Sequence, residues 1–313
     1  MKTLSLLALF LLSIVGPRTF AEAPEDTATK LTGIIGTSKL EGAVSDLAGN
    51  FYFCNMAAEG VNIRQRGTIG VLPGTPEAEH WLTLPVGMRG NGLRIGPEGQ
   101  LYMADQEGGR VIRIDPRTKV VTVLHDFSFE GLFWNNAPND LAFSKDGRQL
   151  YVSCMKNGVW RLNRDGSGAE KVLDKYANGL DLSPDGETLV LATGFFTINA
   201  DGSLTPTGTK PELPEKGYAY TDGLRCDAEG NVYVSRAGAK LDGEQQPGAV
   251  HVVSPEGKLL RNIIAPHERV HNVGFGGPDG KVLFLICPGD DGFVAYHRVG
   301  VPGLNYVRLR QWQ

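Results

Sequence analysis

The sequence contains only four cysteines in 313 residues, and no two of them form a Cys-x-x-Cys pair. This spacing argues against a structural zinc site and a thioredoxin-like redox site. Each cysteine lies in an apolar strand-like run, where a thiol usually packs as a small hydrophobic side chain. We therefore expect buried free thiols, with a disulfide in an exported chain as the alternative. The four are Cys54, Cys154, Cys226 and Cys287, and Cys54 with Cys287 is the first pair to examine for a disulfide.

The sequence also lacks any run of basic residues. Its 31 Lys and Arg stand against 35 Asp and Glu, which gives a formal net charge of −4. A mildly acidic chain without a basic run argues against nucleic acid as a partner. There is no Gly-x-Ser-x-Gly motif for a nucleophilic serine and no Gly-x-x-x-x-Gly-Lys-Ser/Thr loop for a phosphate.

Long apolar runs are absent except at the N-terminus, where LSLLALFLLSIVG follows Lys2. This run of about thirteen residues is short of the roughly twenty that span a bilayer. Ala21-Glu22-Ala23 supplies a small-x-small cleavage pattern. We expect residues 1–23 to be a signal peptide, with a membrane anchor as the alternative. Residues 24–313 would then form one exported domain, periplasmic or secreted, with no membrane contact after cleavage.

Six segments of the chain share one pattern, in which a polar residue is followed by a short apolar strand, a turn ending in Gly and a second apolar strand. The polar residues are Glu41, Asn91, Asn139, Asn178, Asp222 and His271. Their spacings run from 39 to 50 residues. A period of this length with two strands visible per unit is typical of a repeat array.

Further strand-like runs between these segments bring each unit to about four strands, the content of one propeller blade. In the second unit they are residues 111–114 and 120–124. No long apolar stripe of helical period is present outside the N-terminal run, so we expect few helices. The sequence predicts an all-β, six-bladed β-propeller of antiparallel strands. Its last blade would be completed by an outer strand near residues 31–36 or 305–312, and long loops would cover residues 57–66, 127–137, 195–220 and 237–247.

The first strand of each blade begins at one mouth of the central tunnel, so the six polar residues are expected to form a ring there. Carboxylate and amide oxygens are ligands that suit Ca²⁺. Glu41 and Asp222 would balance its charge, and Asn139 and Asn178 would add neutral oxygens; another divalent cation such as Zn²⁺ or Mn²⁺ is possible. The alternative is that each polar residue belongs to an ordinary turn.

Several short motifs, in this order and spacing, resemble the regucalcin and gluconolactonase (senescence-marker-protein-like) family of calcium-dependent six-bladed propellers. They are Glu41-Gly42, Pro138-Asn139-Asp140, Asn178-Gly179-Leu180-Asp181, Asp222-Gly223 and Phe275-Gly276-Gly277-Pro278-Asp279. The resemblance extends from about Leu40 to Cys287. It implies that one divalent cation is bound at the tunnel mouth by Glu41, Asn139, Asn178 and Asp222. It also implies hydrolysis of a lactone.

In that interpretation Asp222 combines cation binding with proton transfer to the attacking water, as inferred for relatives, while Asn91 and His271 orient the substrate. Many relatives carry Arg two residues before the ring asparagine, where it touches the substrate, but this chain has Ala137. That difference leaves the sugar-lactone specificity open. Aromatic loop residues, Trp134 among them as a substrate-binding candidate, either line a less polar pocket or pack between blades. They are Phe133, Trp134, Phe195, Phe196, Tyr218 and Tyr220.

Two other functions remain open from the sequence. The same metal site could hydrolyse aryl esters or phosphotriesters, which would make the chain a broader carboxylic ester hydrolase or a phosphotriesterase. Alternatively, the chain is an exported binding propeller with a structural cation and no enzymatic activity. The favoured partner is a small-molecule lactone or ester.

Overall fold

The computed structural model describes residues 25–32, 39–56, 68–71, 78–132 and 136–313. The predicted signal peptide and Trp134 lie outside these residues. Within the described part of the chain, no helix is long and apolar enough to cross a membrane.

The strands are grouped below by sheet, beginning with two short N-terminal strands that join sheets formed much later in the chain. These two are β1 (Glu25–Thr27) and β2 (Thr29–Lys30). The first sheet contains β3 (Leu40–Ser45), β4 (Phe51–Asn55), β5 (Thr68–Val71) and β6 (Glu79–Thr83). The second contains β7 (Gly90–Ile95), β8 (Leu101–Asp105), β9 (Arg110–Ile114) and β10 (Val121–Asp126). The third contains β11 (Asp140–Phe143), β12 (Gln149–Ser153), β13 (Val159–Asn163) and β14 (Glu170–Leu173).

The second half of the chain repeats this arrangement. The fourth sheet contains β15 (Leu180–Leu182), β16 (Thr188–Leu191), β17 (Gly194–Ile198) and β18 (Leu204–Pro206). After it come β19 (Tyr218–Cys226), β20 (Val232–Gly238), and a two-stranded ribbon of β21 (Lys240–Leu241) and β22 (Glu244–Gln245). The fifth sheet is completed by β23 (Ala249–Val253), β24 (Leu259–Ile264) and the N-terminal β1. The sixth contains β25 (Asn272–Gly276), β26 (Val282–Cys287), β27 (Phe293–Arg298) and β2. A 3₁₀ turn (Phe127–Glu130) and one helix, α1 (Leu304–Trp312), are the described helical segments.

Local turn chemistry produces the hairpin at the start of each unit. In the fourth unit, β15 and β16 pair in antiparallel register with Leu182 opposite Leu189. Gly186 adopts a φ of 80° and its N–H donates to Ser183 O at 2.9 Å. Asp185 Oδ1 accepts from the backbone N–H of Glu187, two residues further on, as turn aspartates do. The apolar side chains of the paired strands are thereby buried against the neighbouring sheets.

The first strands of the sheets surround a common axis. β3, β7, β11, β15, β19 and β25 each lie beside the next in this order, and β25 lies beside β3. The predicted all-β propeller is therefore confirmed. Five sheets have the four strands of a standard blade and one sheet has five, so the count of six equivalent blades stays a prediction. All four cysteines are buried and free, as expected.

The chain termini differ from the expectation. The outer strand beside β27 is β2, with Thr29 opposite Tyr296, rather than residues 31–36, of which 33–36 lie outside the described residues. Residues 305–312 belong to α1, so a strand there is wrong. The predicted loop at 195–220 is also wrong, because it contains most of β17 and the whole of β18.

α1 lies across the end of the tunnel opposite the strand openings. Arg308 donates from Nη1 to Phe143 O at 3.2 Å and from Nη2 to Ser183 O at 2.8 Å. Trp312 Nε1 donates to Lys145 O, and Tyr306 Oη donates to Pro278 O. The helix thus contacts the hairpin turns of several sheets, while the ring of polar residues occupies the other end.

Candidate metal centre

Backbone hydrogen bonds join the openings of neighbouring sheets. Gly92 N donates to Asn139 O at 2.7 Å, and Gly223 N donates to His271 O at 2.8 Å. The residue after one ring position is therefore bound to the ring residue of the next sheet. The fold brings these distant openings together, as the repeat pattern predicts.

Glycine follows several ring residues because the neighbouring backbone passes very close. Gly42 has a φ of 57°, and a Cβ there would lie 2.3 Å from Asn91 O. At Gly179 a Cβ would lie 2.7 Å from Asp222 O. Both contacts are too short for a side chain, so these glycines are required for contact between neighbouring sheets.

Three ring residues form a compact cluster. Glu41, Asp222 and His271 place one ligand atom each within 4.8 Å of one another. His271 Nδ1 lies 3.0 Å from Glu41 Oε1. Glu41 is 7% exposed and Asp222 9%. The side chain of Asn178 hydrogen-bonds to the Asp222 carboxylate, so a fourth ring residue adjoins the cluster.

The pKa shifts in the cluster reflect the repulsion between two carboxylates that are buried close together. Burial, followed by the charge of Glu41, raises the pKa of Asp222 well above its usual range. Burial is the largest influence on His271 and by itself lowers its pKa, but the nearby carboxylates of Glu41 and Asp222 together raise the pKa above its usual value. Burial and the charge of Asp222 raise the pKa of Tyr220 to about 12. A cation would stabilise both carboxylates in their charged form.

Unpartnered acceptor atoms show that the residues fit a cation. Glu41 Oε2, Asn178 Oδ1 and His271 Nδ1 are buried and make no aligned hydrogen bond. Buried polar atoms are nearly always paired, so three lone-pair-bearing atoms within one ring need an explanation. A bound divalent cation would satisfy all three together.

The structure places the other predicted residues around this cluster. Asn139 is buried in the same ring, and the binding of a cation by its amide oxygen stays a prediction. The Nδ2 group of Asn91 donates to Gln106 Oε1 at 3.1 Å. Gln106 was not anticipated, although its position directly after β8 places it at the same end of the sheet. A substrate-orienting role for Asn91 is untested.

The aromatic loop residues divide into two groups. Phe195 and Phe196 are buried in the core between sheets, which excludes them from a pocket. Tyr218 packs edge-on against His251. Tyr220 is 44% exposed, and its hydroxyl lies 3.2 Å from His271 Nε2. Among the described aromatic residues of this set, Tyr220 alone is shown touching the cluster.

A buried ion network lies beneath the ring and was not anticipated. Asp140, next to Asn139, is bound by Arg94 Nη1 at 3.2 Å and by Arg225 Nη1 at 2.7 Å. Arg94 also donates to Leu180 O at 2.9 Å. Both arginines stand three residues after a ring position, inside otherwise apolar strands, which was the available signal in the sequence. The network ties four sheets together directly below the candidate site.

Comparisons with known proteins identify the family. A family model described as the SMP-30/Gluconolactonase/LRE-like region matches residues 61–287. A gluconolactonase of Zymomonas mobilis is 29% identical over 226 residues, covering 62% of this chain and 60% of the relative. The pentonolactonase XacC of Haloferax volcanii is 23% identical over 231 residues, covering 72% and 62%. The matches thus span less than two thirds of these relatives.

Solved structures share the fold. A calcium-binding protein, regucalcin, from Agrobacterium tumefaciens has a TM-score of 0.66 at 17% identity, covering 91% of this chain and 97% of that one. A gluconolactonase from Xanthomonas campestris has a TM-score of 0.62 at 18% identity, covering 92% and 99%. At these identities the likeness concerns the propeller architecture.

Proposed function

The chain belongs to the SMP-30/gluconolactonase/LRE-like family, and from this we propose that it is a lactonase that uses a divalent cation at the tunnel mouth. The observation that carries the proposal is the cluster of buried Glu41 and Asp222 with half-buried His271, with three unpartnered acceptor atoms in the ring. The names of the two curated relatives, a gluconolactonase and a pentonolactonase, support lactones as the substrate class. We also propose that the five-stranded sheet is the sixth blade, since β19 lies between β15 and β25 around the axis.

Glu41, Asn139, Asn178 and Asp222 would hold the cation through oxygen atoms. Two carboxylates match the charge of a divalent ion, and an all-oxygen set suits Ca²⁺, the ion for which the regucalcin neighbour is described. When bound, the cation polarises the lactone carbonyl and stabilises negative charge on its oxygen.

The chain's own residues would perform the proton transfers. The Asp222 carboxylate takes a proton from water as the water oxygen bonds to the carbonyl carbon. The ring C–O bond then breaks, and the proton passes to the departing alkoxide, which remains attached to the product as a hydroxyl group. Asn178 holds Asp222 in position through its hydrogen bond, and Asn91 and His271 orient the lactone.

A substrate panel with matched variants tests this function. Sugar lactones, aliphatic lactones, aryl esters and a phosphotriester would be assayed with and without a chelator. We expect chelator-sensitive lactone hydrolysis, and a loss of roughly 10²–10⁴-fold in kcat for Asp222→Asn, the range of general-base catalysis. Asp146→Asn, in a hairpin turn at the other end of the propeller, is the control and should retain full activity.

Each alternative predicts a different outcome. Chelator-sensitive hydrolysis of aryl esters or phosphotriesters without lactone hydrolysis would replace the lactonase with that activity. Cation-dependent melting without hydrolysis of any substrate would identify a binding propeller. Near-normal turnover by Asp222→Asn would remove Asp222 from the mechanism.

Export of the chain is a separate proposal. We propose that residues 1–23 are removed and that residues 24–313 fold as one domain in the periplasm or outside the cell. N-terminal sequencing of protein recovered from those fractions should begin at residue 24, or at residue 22 if cleavage follows Ala21. Recovery of the full-length chain from the membrane fraction would contradict removal.

A further inference from the structure

We propose that His271 is a direct ligand of the cation through Nδ1, and that the mixed nitrogen and oxygen donors select a first-row transition ion such as Zn²⁺ or Mn²⁺ over Ca²⁺. This inference rests on the cation site proposed above and concerns which ion that site takes. The four-oxygen set becomes a set of four oxygens and one nitrogen, and His271 then binds the cation in place of the lactone-orienting role given above.

The position of His271 fits a shared ion. Its Nδ1 atom lies 3.0 Å from Glu41 Oε1, and ligand atoms of Glu41, Asp222 and His271 all lie within 4.8 Å of one another. Two ligand atoms that each bind one Zn²⁺ at about 2.0–2.2 Å are separated by roughly 3 Å or slightly more. The nitrogen and the carboxylate oxygen therefore already have the separation of neighbouring ligands.

The hydrogen bonding of the imidazole favours the tautomer that binds metal. His271 Nε2 lies 3.2 Å from Tyr220 Oη. Nδ1 makes no aligned hydrogen bond despite its nearness to Glu41, so a hydrogen on Nδ1 would not point at the carboxylate. With the hydrogen on Nε2 and donated to Tyr220, Nδ1 presents a lone pair to the cluster. A ligating histidine usually donates its other N–H to a neighbouring acceptor in this way.

The unpartnered atoms lead to the same conclusion. His271 Nδ1, Glu41 Oε2 and Asn178 Oδ1 are all buried without an aligned partner. Without an ion, the neighbour of Nδ1 is the Glu41 carboxylate at 3.0 Å, and an ion that binds Glu41 through oxygen takes that neighbour away. An ion that also binds Nδ1 satisfies all three atoms.

The nitrogen ligand changes the preferred ion. Ca²⁺ takes six to eight oxygen ligands at about 2.3–2.6 Å. Imidazole suits zinc and other first-row transition ions, whose shorter bonds match a compact site. We therefore expect the site to bind Zn²⁺ at least tenfold more tightly than Ca²⁺, and Mn²⁺ more tightly than Ca²⁺ by a smaller factor.

Metal-binding measurements on the full mature chain test the proposal without depending on activity. Chelator-stripped protein would be titrated with Zn²⁺, Mn²⁺ and Ca²⁺ by calorimetry or by competition with a chromophoric chelator. The key variant is His271→Asn, which replaces the nitrogen ligand with an amide. The control is His125→Asn, at a half-buried histidine on β10 outside the cluster. Circular dichroism and melting would establish that each variant is folded.

We expect His271→Asn to weaken Zn²⁺ and Mn²⁺ binding by about 10–100-fold or more, the range found for changes in the hydrogen-bonded shell around a metal. Its Ca²⁺ affinity should change by less than about threefold, and His125→Asn should match the wild type for every ion. The visible spectrum of the Co²⁺-loaded protein should shift in His271→Asn and not in His125→Asn. Tighter binding of Ca²⁺ by the wild type, or equal Zn²⁺ affinities for wild type and His271→Asn, would overturn the proposal.

Failure of this inference and failure of the proposed function give different results. A wild type that binds Zn²⁺ through His271 but hydrolyses no lactone refutes the function and supports the ligand assignment. Chelator-sensitive lactone hydrolysis by a protein whose ion affinities are unchanged in His271→Asn supports the function and refutes the ligand assignment.

Discussion

Replacing Asp140 with asparagine removes the negative charge that two buried arginines share. Arg94 and Arg225 bind its two carboxylate oxygens at 3.2 and 2.7 Å, and all three side chains are almost fully buried. Burial, followed by the nearby Arg225 charge, already lowers the pKa of Arg94, and the Asp140 charge opposes that shift. In Asp140→Asn the guanidinium groups of Arg94 and Arg225 would face each other without the negative charge of Asp140 between them.

The expected destabilisation follows from the burial of the network. Removing one partner from a buried ion pair costs about 3–5 kcal/mol, because the remaining charge is left uncompensated. At roughly 2 °C per kcal/mol for a large domain, Tm should fall by about 6–10 °C. Because Asp140 adjoins Asn139, the affinity for a divalent cation should fall as well.

Urea unfolding and differential scanning calorimetry, with calorimetric titration for the cation, would measure both effects. The control is Glu170→Gln, which neutralises the carboxylate of an exposed pair, 2.9 Å from Arg161, and should change stability by about 0–1 kcal/mol. If Asp140→Asn lowers the free energy of unfolding by no more than this control does, the network does not hold the sheets together.

Three other changes test separate parts of the structure. Burial lowers the pKa of His251 to about 4, so between pH 6.5 and 4 the unfolded chain binds the extra proton, and stability should fall by up to about 3 kcal/mol as pH drops through that window. Urea unfolding at pH 7 and 4.5 should show a smaller loss of unfolding free energy in His251→Gln than in the wild type, and equal losses in the two proteins would contradict this. Arg308→Met removes the Arg308 donors from Phe143 O and from Ser183 O, which keeps Gly186 N–H, and should cost about 1–3 kcal/mol in thermal unfolding; an unchanged Tm would show that α1 is not held by this residue. Gly42→Ala places a Cβ 2.3 Å from Asn91 O at a φ of 57°, and should lower both Tm and cation affinity by displacing the ring. Wild-type values for both would mean that the close approach is not required.

The inner hairpins of the propeller were predictable because their determinants are local. The Ser183–Gly186 turn is determined by its own residues, because Asp185 accepts a hydrogen bond from a backbone N–H of the turn and Gly186 adopts a positive φ. The same chemistry recurs at the period of the repeat, so the first two strands of each unit could be located without the fold.

The outer strands and α1 were not predictable in the same way. β18 is three residues long and ends in Pro206, and it exists because Thr205 pairs with Thr197 across the sheet. α1 has no clear apolar stripe, and its place is fixed by Arg308 reaching carbonyls of two different sheets. Both elements depend on tertiary partners that sequence periodicity does not record.

In the site, too, some features could be predicted from the sequence and others depend on contacts between sheets. Repeat position alone identified the ring residues, including Glu41, Asp222 and His271, because rotational symmetry brings equivalent positions together. The contact of Tyr220 with His271 joins different sheets, and the partnership of Arg94 with Asp140 does too. Neither could be found without the rotation that relates one sheet to its neighbour.

The N-terminal segment reaches its final place only after strands near the end of the chain have formed. β1 pairs in parallel with β24, and β2 pairs with β27. The first strands of the chain therefore cannot pair until the last strands are present. When only the first four sheets have formed, the propeller is an open arc, and β1 and β2 have no partner strands. The slowest folding step should therefore involve this long-range pairing, and until it forms the unpaired strands are exposed to aggregation.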